Sequence, residues 1–132
     1  MGAWGHGPFD NDDAADWVSQ LEESTGLSVV QSALDGIAGS GGGYLEAPAC
    51  SEALAAAEVV AALRGRPAAI LPEEVRAWAK GRASAPVDLV EHARKVVRSI
   101  RSKSELRDLW EESEQFDAWS KVLDDLEARL AG

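Results

Sequence analysis

The chain has 132 residues, of which 45% are hydrophobic and 27% charged, and its formal net charge is −10. This composition is that of an ordinary globular protein, so wholesale disorder and collagen-like repeats are excluded. The negative charge argues against general binding to nucleic acid or to anionic membranes, because both would be repelled. We therefore expect residues 1–132 to form a single helical domain with its own hydrophobic core.

The charges are distributed unevenly along the sequence. Residues 1–63 contain ten acidic residues and no Lys or Arg, residues 64–103 contain ten basic and four acidic residues, and residues 104–132 contain three basic and nine acidic residues. The basic middle segment either packs beside the acidic segments, which neutralise it through weak ion pairs, or forms a positive face on an acidic protein. In the second case the candidate anion-binding residues are Arg94, Arg98 and Arg101.

No feature of the sequence predicts export or membrane insertion. The first residues lack the basic and apolar regions of a signal peptide, and no run approaches the ~18 apolar residues of a membrane span. Cys50 is the only cysteine, so it forms no internal disulfide, and we expect it to be a small buried hydrophobe rather than an activated thiol. We therefore expect a cytoplasmic protein that does not bind membranes.

Apolar residues recur at helical spacing through most of the chain, and no run alternates as a half-buried strand would. The pattern predicts an all-α bundle of about six helices. The first helix begins near residues 10–12 and ends at Gly26, and the second covers about 27–38. A Gly-rich loop over residues 39–45 follows, because glycines interrupt the helical pattern there.

The third predicted helix begins at Pro48 or Ser51 and ends at Gly65, since proline favours the first turn of a helix and glycine its end. A short fourth helix opens at Pro72. The fifth spans residues 87–102. Helical spacing then continues over residues 104–130, with a break near Ser113.

Glu58 is the only residue that is not apolar between Ala53 and Leu63. The many alanines in this run let neighbouring helices approach closely, so we expect the third helix to be the central one. Glu58 then lies on a narrow exposed strip or is buried against an arginine or a tryptophan indole N–H that compensates its charge. A catalytic acid or base is the remaining possibility.

Acidic residues are concentrated at the start of the first helix, where the chain has Asp10, Asp12, Asp13 and Asp16. Dense carboxylates suggest a hard-cation site, but Ala15 and Leu21 stand where an EF-hand loop needs Gly and Glu. Helix capping and interaction with the helix dipole already explain acids in a first turn. The sequence therefore predicts no metal and no other cofactor.

Tryptophan is frequent, with five residues in the chain. Three of them lie on apolar helical stripes and are predicted to be buried: Trp17, Trp78 and Trp110. Trp4 differs, because it lies in residues 1–9, where several glycines permit close backbone approach. We predict that this Gly/Trp-rich segment folds back as an ordered arm, with Trp4 and Phe9 as anchors.

The opening run Met1-Gly-Ala-Trp-Gly-His-Gly-Pro-Phe-Asp-Asn-Asp-Asp13 resembles the start of a widespread, largely actinobacterial family of small bacterial proteins of unknown function, with the motif MGxWGxGPFDND. The stretches 44–48, 53–63 and 104–112 resemble the same family, so the similarity covers nearly the whole chain. It implies a helical protein that stands alone, and it brings no activity or catalytic residues with it.

Two functional hypotheses follow. In the first, the protein is a non-enzymatic interaction module of the inhibitor or immunity type, whose acidic surface attracts a basic protein partner. The binding residues of that hypothesis are Trp4, Phe9, Asp10, Asp12, Asp13 and Asp16. In the second, Glu58, the Asp10–Asp16 cluster and one histidine, His6 or His92, converge in the pocket of a ligand-binding protein, a metal-binding protein or an enzyme.

Overall fold

The structure is a computed structural model that describes residues 7–39, 44–69 and 71–131. These residues form seven α-helices and no strand, which confirms the all-α prediction. None of these helices is long and apolar enough to cross a lipid bilayer. The helices are α1 (Asp12–Glu23), α2 (Ser28–Ala38), α3 (Ala47–Leu63), α4 (Glu73–Ala79), α5 (Val87–Ser102), α6 (Glu105–Glu111) and α7 (Phe116–Ala131).

Most helices lie where the hydrophobic spacing predicts them. The final stretch, predicted with a break near Ser113, forms two separate helices, α6 and α7, so the described residues have seven helices rather than about six. Part of the predicted N-terminal arm and most of the Gly-rich loop fall on residues 1–6 and 40–43, outside the described residues.

Local interactions fix where several helices begin and end. The side chain of Asn11 caps α1 by accepting a hydrogen bond from the backbone N–H of Ala14 (2.8 Å), so an amide and not an aspartate is the cap. Gly65 and Gly81, with φ of 88° and 79°, follow α3 and α4 in the left-handed region that favours glycine.

The central helix is α3, as the alanine-rich run predicts. It packs against α1, α2, α5 and α7, and the side chains of residues 53–61 are buried on all sides. Small side chains permit this, because several helices must approach one backbone closely. The predicted burial of tryptophans is confirmed for Trp17, Trp78 and Trp110, and Trp119 of α7 is buried as well.

Candidate functional site

Glu58 lies in the middle of α3 and is 1% exposed. Its two carboxylate oxygens accept hydrogen bonds from Nη1 and Nη2 of Arg129, at 2.8 and 3.0 Å. The predicted compensating donor is therefore an arginine, and it comes from the last helix. Such a bidentate pair is stronger and more directional than a single ionic contact.

Arg129 makes further contacts that hold its guanidinium in place. Nε donates to Asp125 one turn earlier on α7 (2.8 Å), and Nη1 also donates to the backbone oxygen of Arg66 (3.3 Å). Burial alone would lower the pKa of Arg129, but hydrogen bonds and charge interactions with Glu58 and Asp125 outweigh burial and raise it. The guanidinium therefore stays charged, and it neutralises the buried carboxylate.

A cavity of about 640 Å³ opens beside this ion pair. Three parts of the chain form its walls: the turn that precedes α1, the connection between α3 and α4, and one face of α7. The walls are mostly apolar, with side chains that include Pro8, Phe9, Leu71, Pro72, Ala118 and Val122. We call this space the Glu58 cavity.

Five charged side chains line the Glu58 cavity: Asp10, Glu58, Lys121, Asp125 and Arg129. Arg129 is paired with two of the carboxylates, Glu58 and Asp125. Asp10 accepts a hydrogen bond from the backbone N–H of Gly7 (3.2 Å) and has no ion-pair partner among residues 7–39, 44–69 and 71–131. Within the same ranges the ammonium group of Lys121 has no hydrogen-bond or ion-pair partner. The described lining thus carries one more negative than positive charge.

The acidic cluster at the start of α1 is divided by the cap at Asn11. Asp10 precedes the helix and lines the Glu58 cavity, whereas Asp12, Asp13 and Asp16 lie on the exposed surface of α1 and do not line it. The predicted convergence of the whole cluster with Glu58 is therefore wrong for these three residues. Their outward direction follows from the helix itself, which turns the apolar stripe of α1 toward the core: Ala14, Trp17, Val18 and Leu21.

His92, one of the two histidines named in the second hypothesis, does not line this cavity. Nε2 of His92 lies 2.8 Å from Oδ1 of Asp35, in a separate cleft between α2 and α5 that Asp88 also lines. His6 and Trp4 fall outside the described residues. The described part of the chain holds no group of three or more His, Cys, Asp or Glu side chains that could bind a metal ion.

The three candidate anion-binding arginines of the basic middle segment, Arg94, Arg98 and Arg101, are each paired with a carboxylate. Arg98 pairs with Glu127 of α7 (3.1 Å), Arg101 pairs with Glu127 and Asp124, and Arg94 pairs with an acid three residues earlier on α5. These contacts support the interpretation that the basic segment is neutralised by its acidic neighbours. Anion binding by the three arginines stays a prediction.

Cys50 lies in the first turn of α3 and is buried. Burial raises the pKa of its thiol to about 11, although a hydrogen bond with Ser104 acts in the opposite direction. The position at a helix N-terminus therefore does not activate this thiol. The structure agrees with the expectation of a small buried hydrophobe.

Sequence reasoning identified Glu58 and Asp10 but missed Arg129, Asp125 and Lys121. The spacing of Asp125 and Arg129 on α7 predicts an ordinary surface pair four residues apart. Nothing in that spacing indicates that the arginine also reaches into the core, because the sequence contains thirteen basic residues that could have been the donor for Glu58.

Residues 2–122 match the family described as a domain of unknown function (DUF4259). The chain therefore belongs to this family, whose description carries no activity. No curated protein and no solved structure was found to match the chain. The opening segment and Glu58 lie within the matched region, whereas Asp125 and Arg129 lie beyond its end.

Proposed function

We propose that this protein is a non-enzymatic binding protein that holds a small, partly apolar molecule in the Glu58 cavity. Its volume of about 640 Å³ falls in the usual range of ligand sites, about 300 to 1,000 Å³. Apolar walls with a few fixed charged groups are also typical of such sites. The observation that carries the proposal is that the opening motif, at Gly7–Asp10, and the buried Glu58–Arg129 pair form parts of one cavity.

Binding is favoured over catalysis by the chemistry of the lining. Both oxygens of Glu58 are held by Arg129, so this carboxylate is not free to accept a proton from a substrate. The described residues that line the cavity include no Ser, Thr, Cys or His. A hydroxyl or thiol nucleophile and a histidine base are thus missing from that part of the lining.

The proposal is tested by filling the cavity. Ala118→Phe places a ring in the wall formed by α7, and Ala128→Phe places the same ring at an exposed position of the same helix that is not among the residues lining the cavity. A library of small fragments is screened by ligand-observed NMR. We expect the hits to bind the native protein and Ala128→Phe equally, and to lose about tenfold or more in affinity with Ala118→Phe.

Two outcomes would contradict this proposal. Fragments that keep their affinity for a folded Ala118→Phe variant would bind elsewhere on the protein. A library in which no fragment binds the native protein would leave the cavity without a ligand function. Circular dichroism of both variants verifies that the helices are intact.

A second function, binding of a basic protein partner, is supported by the unpaired acids of α1. Asp12, Asp13 and Asp16 are exposed and have no ion-pair partner in the described part of the chain. Glu52 of α3 lies close enough to Asp13 for the charge of Asp13, together with burial, to raise the pKa of Glu52. A carboxyl group of α3 is therefore next to the acidic residues of α1. Uncompensated surface charge of one sign accelerates the encounter with an oppositely charged partner.

This second proposal keeps the inhibitor or immunity type of module and the cytoplasmic location predicted from the sequence. Phe9, one of its proposed anchors, is half-buried and packs against the core, so only part of its side chain is accessible to a partner. The other proposed anchor, Trp4, lies outside the described residues.

The test is capture from lysate by three immobilised proteins. We expect the native protein to retain a basic protein at low salt, and a variant with Asp12, Asp13 and Asp16 changed to Lys to lose it. A control variant carries the same charge change at exposed acids elsewhere: Glu74, Asp88 and Glu114, each changed to Lys. Equal loss in both variants would show that only net charge matters, which would contradict a specific surface on α1.

A further inference from the structure

The charges around the Glu58 cavity determine which ligands can enter it. Three carboxylates and two cationic groups line the walls, and one cation, Arg129, is already shared between Glu58 and Asp125. The remaining carboxylate, Asp10, is balanced only by Lys121, which is exposed and has no polar contact in the described residues. Apolar walls screen charge poorly, so the negative potential of the cavity is focused on its interior.

Two carboxylates of the cavity retain hydrogen-bonding capacity. Oδ2 of Asp10 accepts the Gly7 N–H and Oδ2 of Asp125 accepts Nε of Arg129, while Oδ1 of each has no partner in the part of the chain that the structure describes. An ammonium group has three N–H donors and no acceptor, so free carboxylate oxygens suit it. These two oxygens come from different walls, the turn before α1 and the helix α7.

An aromatic side chain adds to the same preference. Phe9 is adjacent to Asp10 in the sequence and lines the same cavity. The face of an aromatic ring attracts a cation, and more strongly where water is excluded. An anion would gain nothing from Phe9 and would have to approach three carboxylates. In the described lining, Lys121 is the one cationic side chain that is not already paired with a carboxylate.

We infer that the ligand of the Glu58 cavity is a small organic cation, an amine with an apolar body. This inference rests on the proposed function, since it names the chemical class that the cavity takes. The apolar body contacts the walls formed by Leu71, Pro72 and Val122, and the ammonium group lies between Asp10 and Asp125.

The inference is tested with three probes that share one phenyl ring and differ in charge: 2-phenylethylamine, 2-phenylethanol and 3-phenylpropionate. Dissociation constants are measured by NMR titration at pH 7 and low salt. We expect the amine to bind about tenfold more tightly than the alcohol, and the carboxylate to bind most weakly, because the carboxylate oxygens of the cavity attract an ammonium group and repel an anion.

Variants assign the effect to the cavity. Asp10→Asn removes a negative charge, so we expect it to weaken binding of the amine about tenfold. It keeps an oxygen that can accept the Gly7 N–H, so the local structure and the binding of the alcohol should not change. Lys121→Gln removes a positive charge and should strengthen amine binding. Asp16→Asn, on the exposed surface of α1, is the control and should change neither probe.

The outcomes separate this inference from the proposed function. If the carboxylate binds as well as the amine, or if Asp10→Asn weakens the alcohol as much as the amine, the ligand class is wrong although the cavity still binds ligands. If none of the three probes binds, the inference is overturned. A negative fragment screen would then overturn the proposed function as well.

Discussion

Glu58 of α3 and Arg129 of α7, 71 residues apart in the sequence, form a bidentate ion pair in which the carboxylate is almost completely buried. The pair connects the central helix to the last one and contributes two of the five charged side chains that line the cavity. It also explains how the apolar run of α3 accommodates an acid, because the guanidinium of Arg129 balances the charge of the buried carboxylate.

The first prediction concerns the cost of breaking this pair. Arg129→Met removes the guanidinium and leaves the Glu58 carboxylate buried without a partner. We expect the free energy of unfolding to fall by about 3 to 5 kcal/mol, measured by urea denaturation. Arg129→Lys should cost less because an ammonium keeps the positive charge, although it cannot reproduce the two parallel hydrogen bonds of the planar guanidinium.

A double variant distinguishes the ion pair from the loss of packing. Glu58→Gln combined with Arg129→Met removes both charges, so it should be more stable than Arg129→Met alone. A double variant as unstable as the sum of the two single variants would show that the two side chains act independently.

The second prediction is a pH dependence that arises from Cys50. Its pKa is about 11 in the folded protein, against an ordinary value of about 9. Between pH 9 and pH 11 the unfolded chain has released the thiol proton and the folded chain has kept it, so rising pH favours unfolding. We expect stability to fall by about 2 to 3 kcal/mol between pH 9 and 11, and this part of the loss to be absent in Cys50→Ala.

Thiol labelling is a second readout of the same property. Because the thiol is buried and protonated at pH 8, iodoacetamide should modify the native protein at least about a hundredfold more slowly than the urea-unfolded chain. Modification of the native protein at the rate of a free thiol would contradict the assignment of Cys50 to the core.

The third prediction concerns the start of α3. The carboxylate of Glu105, in α6, accepts a hydrogen bond from the backbone N–H of Ala47 (2.7 Å), and the backbone N–H of Glu105 donates to the oxygen of Leu45 (2.8 Å). Glu105→Ala should therefore cost about 1 kcal/mol, as the loss of other helix caps does. Glu105→Gln should cost less, and Glu112→Ala, on the exposed surface, almost nothing.

The fourth prediction concerns the arginines of α5. Asp124 and Glu127 form ion pairs with Arg98 and Arg101, so these arginines are not free to bind a polyanion. The native protein should therefore pass through a heparin column at low salt. Changing Asp124 to Asn and Glu127 to Gln frees these arginines and should delay elution. Retention of the native protein that is lost on changing Arg98 and Arg101 to Gln would instead establish an anion-binding face.

The helical fold was predictable because its determinants are local. Apolar residues at spacings of three and four gave α5 within its observed bounds, and prolines and glycines marked both ends of α3. The separation of α6 from α7 was visible only as an irregularity near Ser113. The cap at Asn11 was missed, since three neighbouring aspartates have equally suitable side chains.

The cavity was predictable only in part, because it depends on contacts between distant segments. A single acid in an apolar run identified Glu58 as a residue whose charge needs compensation, but not which donor supplies it. The walls come from the turn before α1, the loop after α3 and the helix α7, and no local pattern indicates that these meet. Asp10 could be distinguished from Asp12, Asp13 and Asp16 only when the first residue of α1 was known. Asp10 precedes the helix, whereas the other three lie on its exposed side.

The central claim, that the Glu58 cavity is the binding site, is tested most directly by mapping amide chemical-shift changes in ¹⁵N-labelled protein during titration with 2-phenylethylamine. The account predicts that the largest changes occur at Gly7, Asp10, Ala69, Ala118 and Val122, which line the cavity on three separate segments. Changes confined to other parts of the molecule, such as the cleft beside His92, or no saturable change at all, would contradict it.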